Sequence, residues 1–284
     1  TSMTAKRELK VLVSGLQFGE GPRWRGDRLW YSDFYAHMVR TVDLNGTVRD
    51  IVEVPNQPSG LGFDPQGRLL IVSMLDRLLL RLEEDGSLTT VGDLSGVVAA
   101  PCNDMVVDAE GRAYVGNFGF ERHKGEDPAT TSMWRVDPDG SVHEVATDLF
   151  FPNGTVITPD GGTLIVGETF GNRLTAFDRS PDGRLSNKRM FADTPGVFPD
   201  GICLDAEGAI WVADPRGRRV VRVRDDGRIA EEVPLEDRGA YACMLGGEDR
   251  RTLFICTNTT RGPGAAAAGA GVQAAAGGSR ENTS

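Results

Sequence analysis

Histidine and cysteine are scarce in this chain, and neither is arranged for catalysis or for zinc binding. Among 284 residues there are three histidines, His37, His123 and His143. No Gly-x-Ser-x-Gly motif or Ser-His-Asp order accompanies them. The four cysteines show no CxxC or Cys/His spacing; they are Cys102, Cys203, Cys243 and Cys256. These absences exclude a serine-hydrolase triad and a cysteine-based zinc site, and they favour buried, reduced thiols in a cytosolic compartment.

Basic residues are outnumbered, and long apolar runs are missing. The chain has 31 lysines and arginines against 41 aspartates and glutamates, which gives a formal net charge of −10. A nucleic acid or an anionic membrane requires a basic surface, so neither is an expected partner. No segment approaches the roughly 18 apolar residues that span a bilayer, and the N-terminus has no apolar signal-peptide core. We therefore expect a cytoplasmic protein, either a monomer or a weak homodimer.

What the chain does contain is a repeat of forty to fifty residues. Each unit has a turn rich in Asp and Gly, followed by an apolar pentapeptide that ends in a polar residue. The copies start 40, 44, 51, 46 and 43 residues apart and occupy residues 29–33, 69–73, 113–117, 164–168, 210–214 and 253–257. Asp-Gly and Asn-Gly dipeptides between alternating segments predict β-hairpins.

Six units of four short strands predict an all-β fold, a six-bladed β-propeller with four-stranded antiparallel blades. A β-sandwich is the alternative, but it does not explain six copies of one pentapeptide. The apolar segment at residues 10–13 is expected to close the ring as the outer strand of the last blade. We assign the propeller to residues 8–258. The Gly/Ala-rich residues 259–284 form a disordered or atypical tail, with no recognisable third strand for the sixth blade.

Four oxygen-bearing side chains occupy one slot of the repeat, near the start of the inner strand: Glu20, Asn103, Asn153 and Asp200. Equivalent slots of a radial repeat converge on its axis. Two carboxylates and two amides would form an oxygen-only site of formal charge −2, which suits a hard divalent cation. The sequence therefore predicts a metal site at the axis, on the face where the inner strands begin.

Two further features belong to the same face. The polar ends of the second strands either cap turns, which is the more frequent role, or form part of a pocket wall. A long connection at residues 118–132 leaves from this face and is either a lid or a surface insertion. As a lid it would give the pocket an apolar wall through Phe118 and Phe120, next to His123.

Five short motifs follow one another along the chain: Glu20-Gly-Pro, Pro58-Ser-Gly-Leu, Cys102-Asn-Asp, Pro152-Asn-Gly and Pro199-Asp-Gly. In this order and spacing they resemble the senescence marker protein (regucalcin)/gluconolactonase/luciferin-regenerating-enzyme family, over residues 10 to 258. The resemblance implies a six-bladed propeller with one divalent cation. Calcium is the first expectation, and zinc, magnesium or manganese are the others. It also implies the hydrolysis of lactones.

The resemblance assigns roles at the slot. Glu20, Asn153 and Asp200 would bind the metal, and Asn103 would contact the metal or the substrate. Asp200 would also act as general base or nucleophile, with Asn103 assisting catalysis.

For substrate binding, the resemblance adds Asp104 to Asn103, and the long connection adds the candidates Phe118 and Glu121. Sugar-lactone members of the family often carry an arginine two residues before the asparagine, where this chain has Pro101. A lactone or ester that is less polar than an aldonolactone is therefore plausible, consistent with phenylalanines near the predicted mouth: Phe118, Phe120, Phe150, Phe151 and Phe198.

The expected function is a metal-dependent hydrolase that opens lactones or related small esters. Two alternatives stay open. One is a propeller that binds a partner without catalysis, and the other is an organophosphate or aryl-ester hydrolase that uses the same metal site.

Overall fold

The structure, a computed structural model, describes residues 7–259 and 270–275. These residues form six four-stranded antiparallel sheets. The innermost strand of each sheet contacts the innermost strands of the next and the preceding sheet, and the last sheet contacts the first. The sheets are therefore the blades of a closed six-bladed propeller, as the repeat predicts.

The first three blades take their strands consecutively from the chain, from the axis outwards. Blade one has β2 (Gly19–Arg25), β3 (Arg28–Asp33), β4 (Met38–Asp43) and β5 (Val48–Glu53). Blade two has β6 (Pro58–Phe63), β7 (Leu69–Ser73), β8 (Leu78–Leu82) and β9 (Leu88–Asp93). Blade three has β10 (Cys102–Val107), β11 (Ala113–Asn117), β12 (Thr131–Val136) and β13 (Val142–Leu149). Two short 3-10 turns, at Phe34–Ala36 and Arg122–Lys124, lie in the connections.

Blades four and five continue this order. Blade four has β14 (Pro152–Ile157), β15 (Thr163–Glu168), β16 (Arg173–Arg179) and β17 (Leu185–Asp193). Blade five has β18 (Ile202–Leu204), β19 (Ile210–Asp214), β20 (Arg219–Val223) and β21 (Ile229–Pro234). Each repeated pentapeptide lies within the second strand of its blade.

Blade six joins strands from both ends of the chain. It has β22 (Gly239–Gly246), β23 (Thr252–Asn258), β24 (Ala270–Ala275) and, outermost, β1 (Leu9–Leu16). The antiparallel pairing of β1 with β24 confirms the expected ring closure. The third strand, absent from the sequence expectation, is β24, within the Gly/Ala-rich segment. Its alanines and glycines have poor strand propensity, but β1 and β23 supply hydrogen-bond partners on both sides. Residues 260–269 and 276–284 of the proposed tail lie outside the described residues.

The hydrophobic core lies between neighbouring blades, where the faces of adjacent sheets pack together. Between blades two and three, for example, Leu70 and Val72 pack with Met105, Val115 and Val136 in one buried cluster. Alternation along each strand sends apolar side chains to both faces, because every blade is covered on both sides. This packing holds the inner strands rigidly around the axis.

In the part of the chain that the structure describes, no helix has the length and apolar character needed to cross a membrane.

Candidate active site

The slot residues lie at irregularities of the inner strands. In five blades, the inner strand has one residue more than its partner at this point. The register shifts fall between Glu20 and Arg23, Pro58 and Leu61, Cys102 and Met105, Pro152 and Thr155, and Ala240 and Ala242. In blade five, β18 begins only after the slot. Such bulges change the direction of a side chain and recur next to active sites. They free the slot side chain from the alternation of the sheet.

All four predicted oxygen-bearing residues line one cavity of about 260 Å³ at the start of the inner strands. They are Glu20, Asn103, Asn153 and Asp200, from blades one, three, four and five. All four are buried. Ser59 of blade two lines the same cavity, whereas Ala242 of blade six does not. The structure thus brings together the complete set that the repeat predicts.

Glycines after the slot residues allow the blades to approach closely at this level. A Cβ atom on Gly154 would lie 2.5 Å from the backbone nitrogen of Ile202 and 2.6 Å from the carbonyl oxygen of Asp200. A Cβ atom on Gly201 would lie 2.6 Å from the Cα atom of Ala242. Real Cβ atoms do not tolerate such distances, so only glycine permits this approach.

The amide of Asn103 has a fixed orientation. Its Nδ2 donates to the carbonyl oxygen of Pro152 at 3.0 Å, and a carbonyl can only accept. The nitrogen must therefore face Pro152. Among the described residues, the buried Oδ1 of Asn103 has no hydrogen-bond partner. A buried acceptor without a partner is costly unless a ligand satisfies it.

Asn153 is oriented by a residue that the sequence motifs do not include. Its Nδ2 donates to Thr169 Oγ1 at 3.3 Å, and that hydroxyl donates to the carbonyl oxygen of Pro199 at 2.6 Å. Thr169 thereby links Asn153 to the peptide that precedes Asp200. The oxygen of the Asn153 amide remains as its acceptor toward the cavity.

The two carboxylates make the bottom of the cavity negative. Burial raises the pKa of the Cys256 thiol well above its usual value, and the charges of Glu20 and Asp200 raise it further. Cys256 therefore lies close enough to Glu20 and Asp200 for their charges to affect the pKa of its thiol.

These residues fit a divalent cation by their chemistry. Oxygen atoms of carboxylates and amides are hard donors, and the unpartnered Oδ1 of Asn103 belongs to one of them. The described part of the chain contains no group of three or more His, Cys, Asp or Glu side chains placed to share an ion. The candidate set therefore depends on its two amides as much as on its two carboxylates.

Asp104, expected beside the substrate, does not line the cavity. Its carboxylate forms an ion pair with Arg23, with Oδ1 2.9 Å from Nη2. It also accepts from the backbone N–H of Met105. Asn103 and Asp104 both lie in the bulge between Cys102 and Met105, and only the side chain of Asn103 turns into the cavity. Asp104 therefore links blade three to blade one through its ion pair with Arg23.

The long connection after β11 does reach the cavity. Phe118, Phe120, Glu121, Arg122 and His123 all line it. Glu121 Oε2 lies 2.9 Å from Nζ of Lys124, so its charge is partly compensated. Phe118 and Glu121, both expected at the substrate, are therefore placed to contact one.

Aromatic rings form two sides of the cavity. On one side, the rings of Phe118 and Phe151 stack, 4.9 Å apart and 14° from parallel, with Phe120 and Phe170 edge-on or tilted beside them. Phe150 and Phe198, expected near the mouth, lie behind this group, against Phe170 and Arg216.

On the other side, blade one contributes Phe18, Phe34 and Tyr35. They are in mutual ring contact. Sequence reasoning missed these three and Phe170, because they belong to none of the five motifs.

Charged ends of the second strands fix the connections around the cavity mouth. Asp33 accepts the backbone N–H groups of Gln17 and Phe18. Glu168 accepts the N–H of Phe150 at 2.8 Å and pairs with Arg173 through both carboxylate oxygens. None of the six second-strand ends lines the cavity. Asp33 and Glu168 have the capping role that polar strand ends most often have.

A wider cavity of about 570 Å³ lies where the inner strands end, at the opposite side of the ring. Its lining includes Arg23, Arg25 and Arg179, and Asp108 is the one acidic residue in it. Asp108 forms an ion pair with Arg179 at 3.1 Å. This cavity lacks the combination of two carboxylates and two amides that marks the other one.

Comparisons with known proteins agree with this architecture. A family model described as SMP-30/Gluconolactonase/LRE-like region matches residues 18–259. A 6-deoxy-6-sulfogluconolactonase of Pseudomonas putida is 26% identical over 245 residues, 84% of this chain and 83% of its own. The structure of XC5397 from Xanthomonas campestris, a gluconolactonase, is 29% identical and matches with a TM-score of 0.76 over 94% of this chain and 88% of that one. A calcium-binding regucalcin of Agrobacterium tumefaciens, 22% identical, shares the fold with a TM-score of 0.81 over 100% of both chains.

Proposed function

The chain belongs to the SMP-30/gluconolactonase/LRE-like family, and we propose on that basis that it is a metal-dependent hydrolase that opens lactones. Family membership confirms the resemblance carried by the five ordered motifs. Relatives named as lactonases confirm the expected enzyme class, a hydrolase of ester bonds.

The observation that carries the proposal is the convergence of four oxygen-bearing side chains from four blades on one cavity. Glu20, Asn153 and Asp200 would hold the cation, and Asn103 would contact the cation or the substrate through its unpartnered Oδ1. Calcium is the proposed ion, because the donors are all hard oxygens and a calcium-binding regucalcin shares the fold. When bound, the cation would polarise the lactone carbonyl and stabilise the charge that develops on its oxygen.

Asp200 is proposed as the residue that moves the proton. It is buried and lines the cavity, so it can take a proton from an attacking water or attack the carbonyl carbon itself. In the overall reaction, water adds across the acyl C–O bond. The hydroxyl joins the acyl carbon, and the proton ends on the former ring oxygen. The product is a single hydroxy acid, because the acyl carbon and the former ring oxygen belong to the same molecule.

The two asparagines contribute orientation without charge. Asn103 is held by Pro152, and Asn153 is held by Thr169. Because amides add no negative charge, the set carries a formal charge of −2, which one divalent cation balances. A third carboxylate would reduce the electrophilic strength of that cation.

The proposal is tested by measuring lactone hydrolysis and metal content on the same preparation. Elemental analysis should find about one divalent ion per chain, and chelation should abolish hydrolysis, which calcium then restores. Full hydrolysis after complete removal of metal would overturn the metal-dependent mechanism. A protein that holds no metal and hydrolyses no lactone would instead be a binding propeller.

A further inference from the structure

The cavity has a polar floor and largely apolar walls. The floor consists of the slot residues, and seven aromatic residues line the walls: Phe18, Phe34, Tyr35, Phe118, Phe120, Phe151 and Phe170. They come from blade one on one side and from blades three and four on the other. Rings packed against one another in this way form a rigid surface, which favours a flat apolar group.

Few polar groups are available for the hydroxyls of a sugar lactone. Gln57 and Ser59 line the cavity from blade two and His123 from the long connection, but Pro101 offers no donor where it lines blade three. The carboxylate of Glu121 is already engaged by Lys124. A polyhydroxylated ring would therefore place several hydroxyls against aromatic carbon, where they lose water without gaining partners.

Two arginines lie close to one of these rings, that of Phe170. The guanidinium carbon of Arg122 lies 5.9 Å from the centroid of Phe170, and that of Arg216 lies 5.7 Å from the same centroid. Arg216 also lies 4.3 Å from the centroid of Phe198. Arg122 itself lines the cavity, and both arginines are solvent-exposed.

These two arginines differ from most others in the molecule. In the described part of the chain, neither is within ion-pair distance of a carboxylate, although most arginines there are, and the net charge is −10. A guanidinium stacked on a ring keeps its N–H groups directed outwards, in the fork that binds an oxyanion. Arg122, which lines the cavity, and Arg216, which lies beside Phe170, are therefore available to an anionic group of the ligand.

From these observations, which rest on the proposed lactonase function, we propose that the substrate is a lactone with an aromatic ring and a negatively charged group. The ring would lie between the aromatic walls, with its ester carbonyl at the polar floor. The anionic group would lie at Arg122 and Arg216, remote from the reacting carbonyl. A sulfonate, phosphate or carboxylate would each fit this description.

The test compares three lactones on the metal-loaded protein: glucono-δ-lactone, dihydrocoumarin, and a dihydrocoumarin that carries a carboxylate on its benzene ring. We expect kcat/KM to be highest for the carboxylated compound. It should exceed that of neutral dihydrocoumarin by about 10-fold and that of gluconolactone by about 100-fold or more. Any other order overturns the proposal. If none of the three is hydrolysed, the proposed function itself fails.

Binding provides a readout that does not depend on turnover. The lactam analogues of both dihydrocoumarins can be titrated calorimetrically into the protein. The carboxylated lactam should bind about 10-fold more tightly, and its advantage should decrease with added salt. Equal affinities would overturn the proposal, even if lactones are hydrolysed. The expected affinities without any hydrolysis would support this ligand class and refute the lactonase function.

Variants separate the two contacts. The double substitution Arg122→Ala and Arg216→Ala should lower kcat/KM for the carboxylated compound about 10-fold more than it lowers kcat/KM for neutral dihydrocoumarin. Arg49→Ala is the matched control, because Arg49 is an exposed arginine on the outer strand β5. Phe118→Leu should weaken the binding of both aromatic compounds. Phe63→Leu, on the opposite face of the propeller, should leave their binding unchanged. An unchanged preference in the arginine double variant would overturn the assignment of the anion site.

Discussion

Asn103 donates its side-chain N–H to the backbone carbonyl of Pro152, 3.0 Å away across the seam between blades three and four. This bond decides which end of the amide faces the neighbouring blade and which end remains for a ligand. It also ties the position of one proposed ligand to the peptide just before another, Asn153. The site is therefore built from contacts between blades, since each of the four blades supplies one of the oxygen-bearing side chains.

Calcium should stabilise the protein, and Asn103→Ala should reduce that effect. A ligand present at about 100 times its Kd stabilises the folded state by ~2.7 kcal/mol, which corresponds to several degrees in Tm for a protein of this size. Thermal unfolding with calcium and with chelator measures the difference. Ser59→Ala, at the same slot of blade two, is the control and should keep the full shift. An undiminished shift in Asn103→Ala would remove this residue from the ion site.

Asp200→Asn should fold and lose hydrolysis. The amide preserves the shape of the side chain but cannot accept the proton, so kcat should fall by about 10²–10⁴. Titration of the acid released from a lactone measures the rate, and thermal unfolding with chelator checks the fold. A variant that keeps more than a tenth of the activity would assign the base to another residue.

Glu168→Gln should destabilise the protein at neutral pH by about 1–3 kcal/mol, because a buried, multiply hydrogen-bonded carboxylate loses its charge. Burial opposes the ionisation of Glu168, but bonds from Arg173, Thr175 and the N–H of Phe150 outweigh it and hold its pKa below the usual 4.5. A lowered folded-state pKa gives stability that is present above 4.5 and is lost as the pH falls through the folded value.

The pH dependence of unfolding therefore distinguishes the wild type from this variant. Denaturant unfolding between pH 3 and pH 7 should show a smaller loss of stability on acidification in Glu168→Gln than in the wild type. Glu84→Gln is the control, since Glu84 is exposed at the surface. Parallel curves for wild type and Glu168→Gln would contradict the proposed ionisation.

The cysteine thiols should be unreactive in the folded protein. All four are buried and unpaired, and burial raises the pKa of Cys102 to about 12. Thiolates are the reactive species, so a thiol reagent at pH 8 should modify none of them quickly. Unfolding in denaturant should expose all 4. Rapid modification of even one thiol in the native protein would contradict the described burial.

Gly154→Ala should destabilise the propeller at the axis. Its Cβ atom would meet the backbone of Ile202 at 2.5 Å, and neither backbone can move independently of its blade. We expect a loss of about 1–3 kcal/mol, together with weaker metal binding, because Asn153 and Asp200 flank the contact. Gly96→Ala is the matched control, since a Cβ atom there has no neighbour within 4 Å. Equal stability of the two variants would contradict the close approach.

The repeat was visible in the sequence because its cause is local. Turn residues and apolar pentapeptides are short patterns, and six regularly spaced copies predict six blades. Blade six departs from the pattern, and its third strand was not predicted. That strand, β24, consists of residues such as Ala270 and Gly271, which form a strand because β1 and β23 pair with them on both sides. Tertiary pairing there overrides local preference.

The repeat predicted the four oxygen-bearing residues of the cavity from their shared slot. The other cavity residues depend on long-range packing that no local sequence pattern shows. The bulge at Cys102–Met105 separates Asn103 from Asp104, so that one lines the cavity and the other pairs with Arg23. Phe18 reaches the cavity through a connection that Asp33 holds by accepting its backbone N–H, and Phe170 reaches it from the turn between β15 and β16. Such long-range placement is fixed by packing, and a single sequence does not display it.

The joining of β1 to β24 has a kinetic consequence. About 260 residues separate these two strands, so forming their contact costs on the order of 5 kcal/mol of chain entropy before any hydrogen bond compensates it. Folding should therefore be slow, as it is for topologies dominated by distant contacts. During synthesis, five blades can assemble while the inner strand of the first, β2, still lacks its neighbour in blade six, β22. The nascent chain must protect two open blade faces from aggregation until β24 emerges from the ribosome.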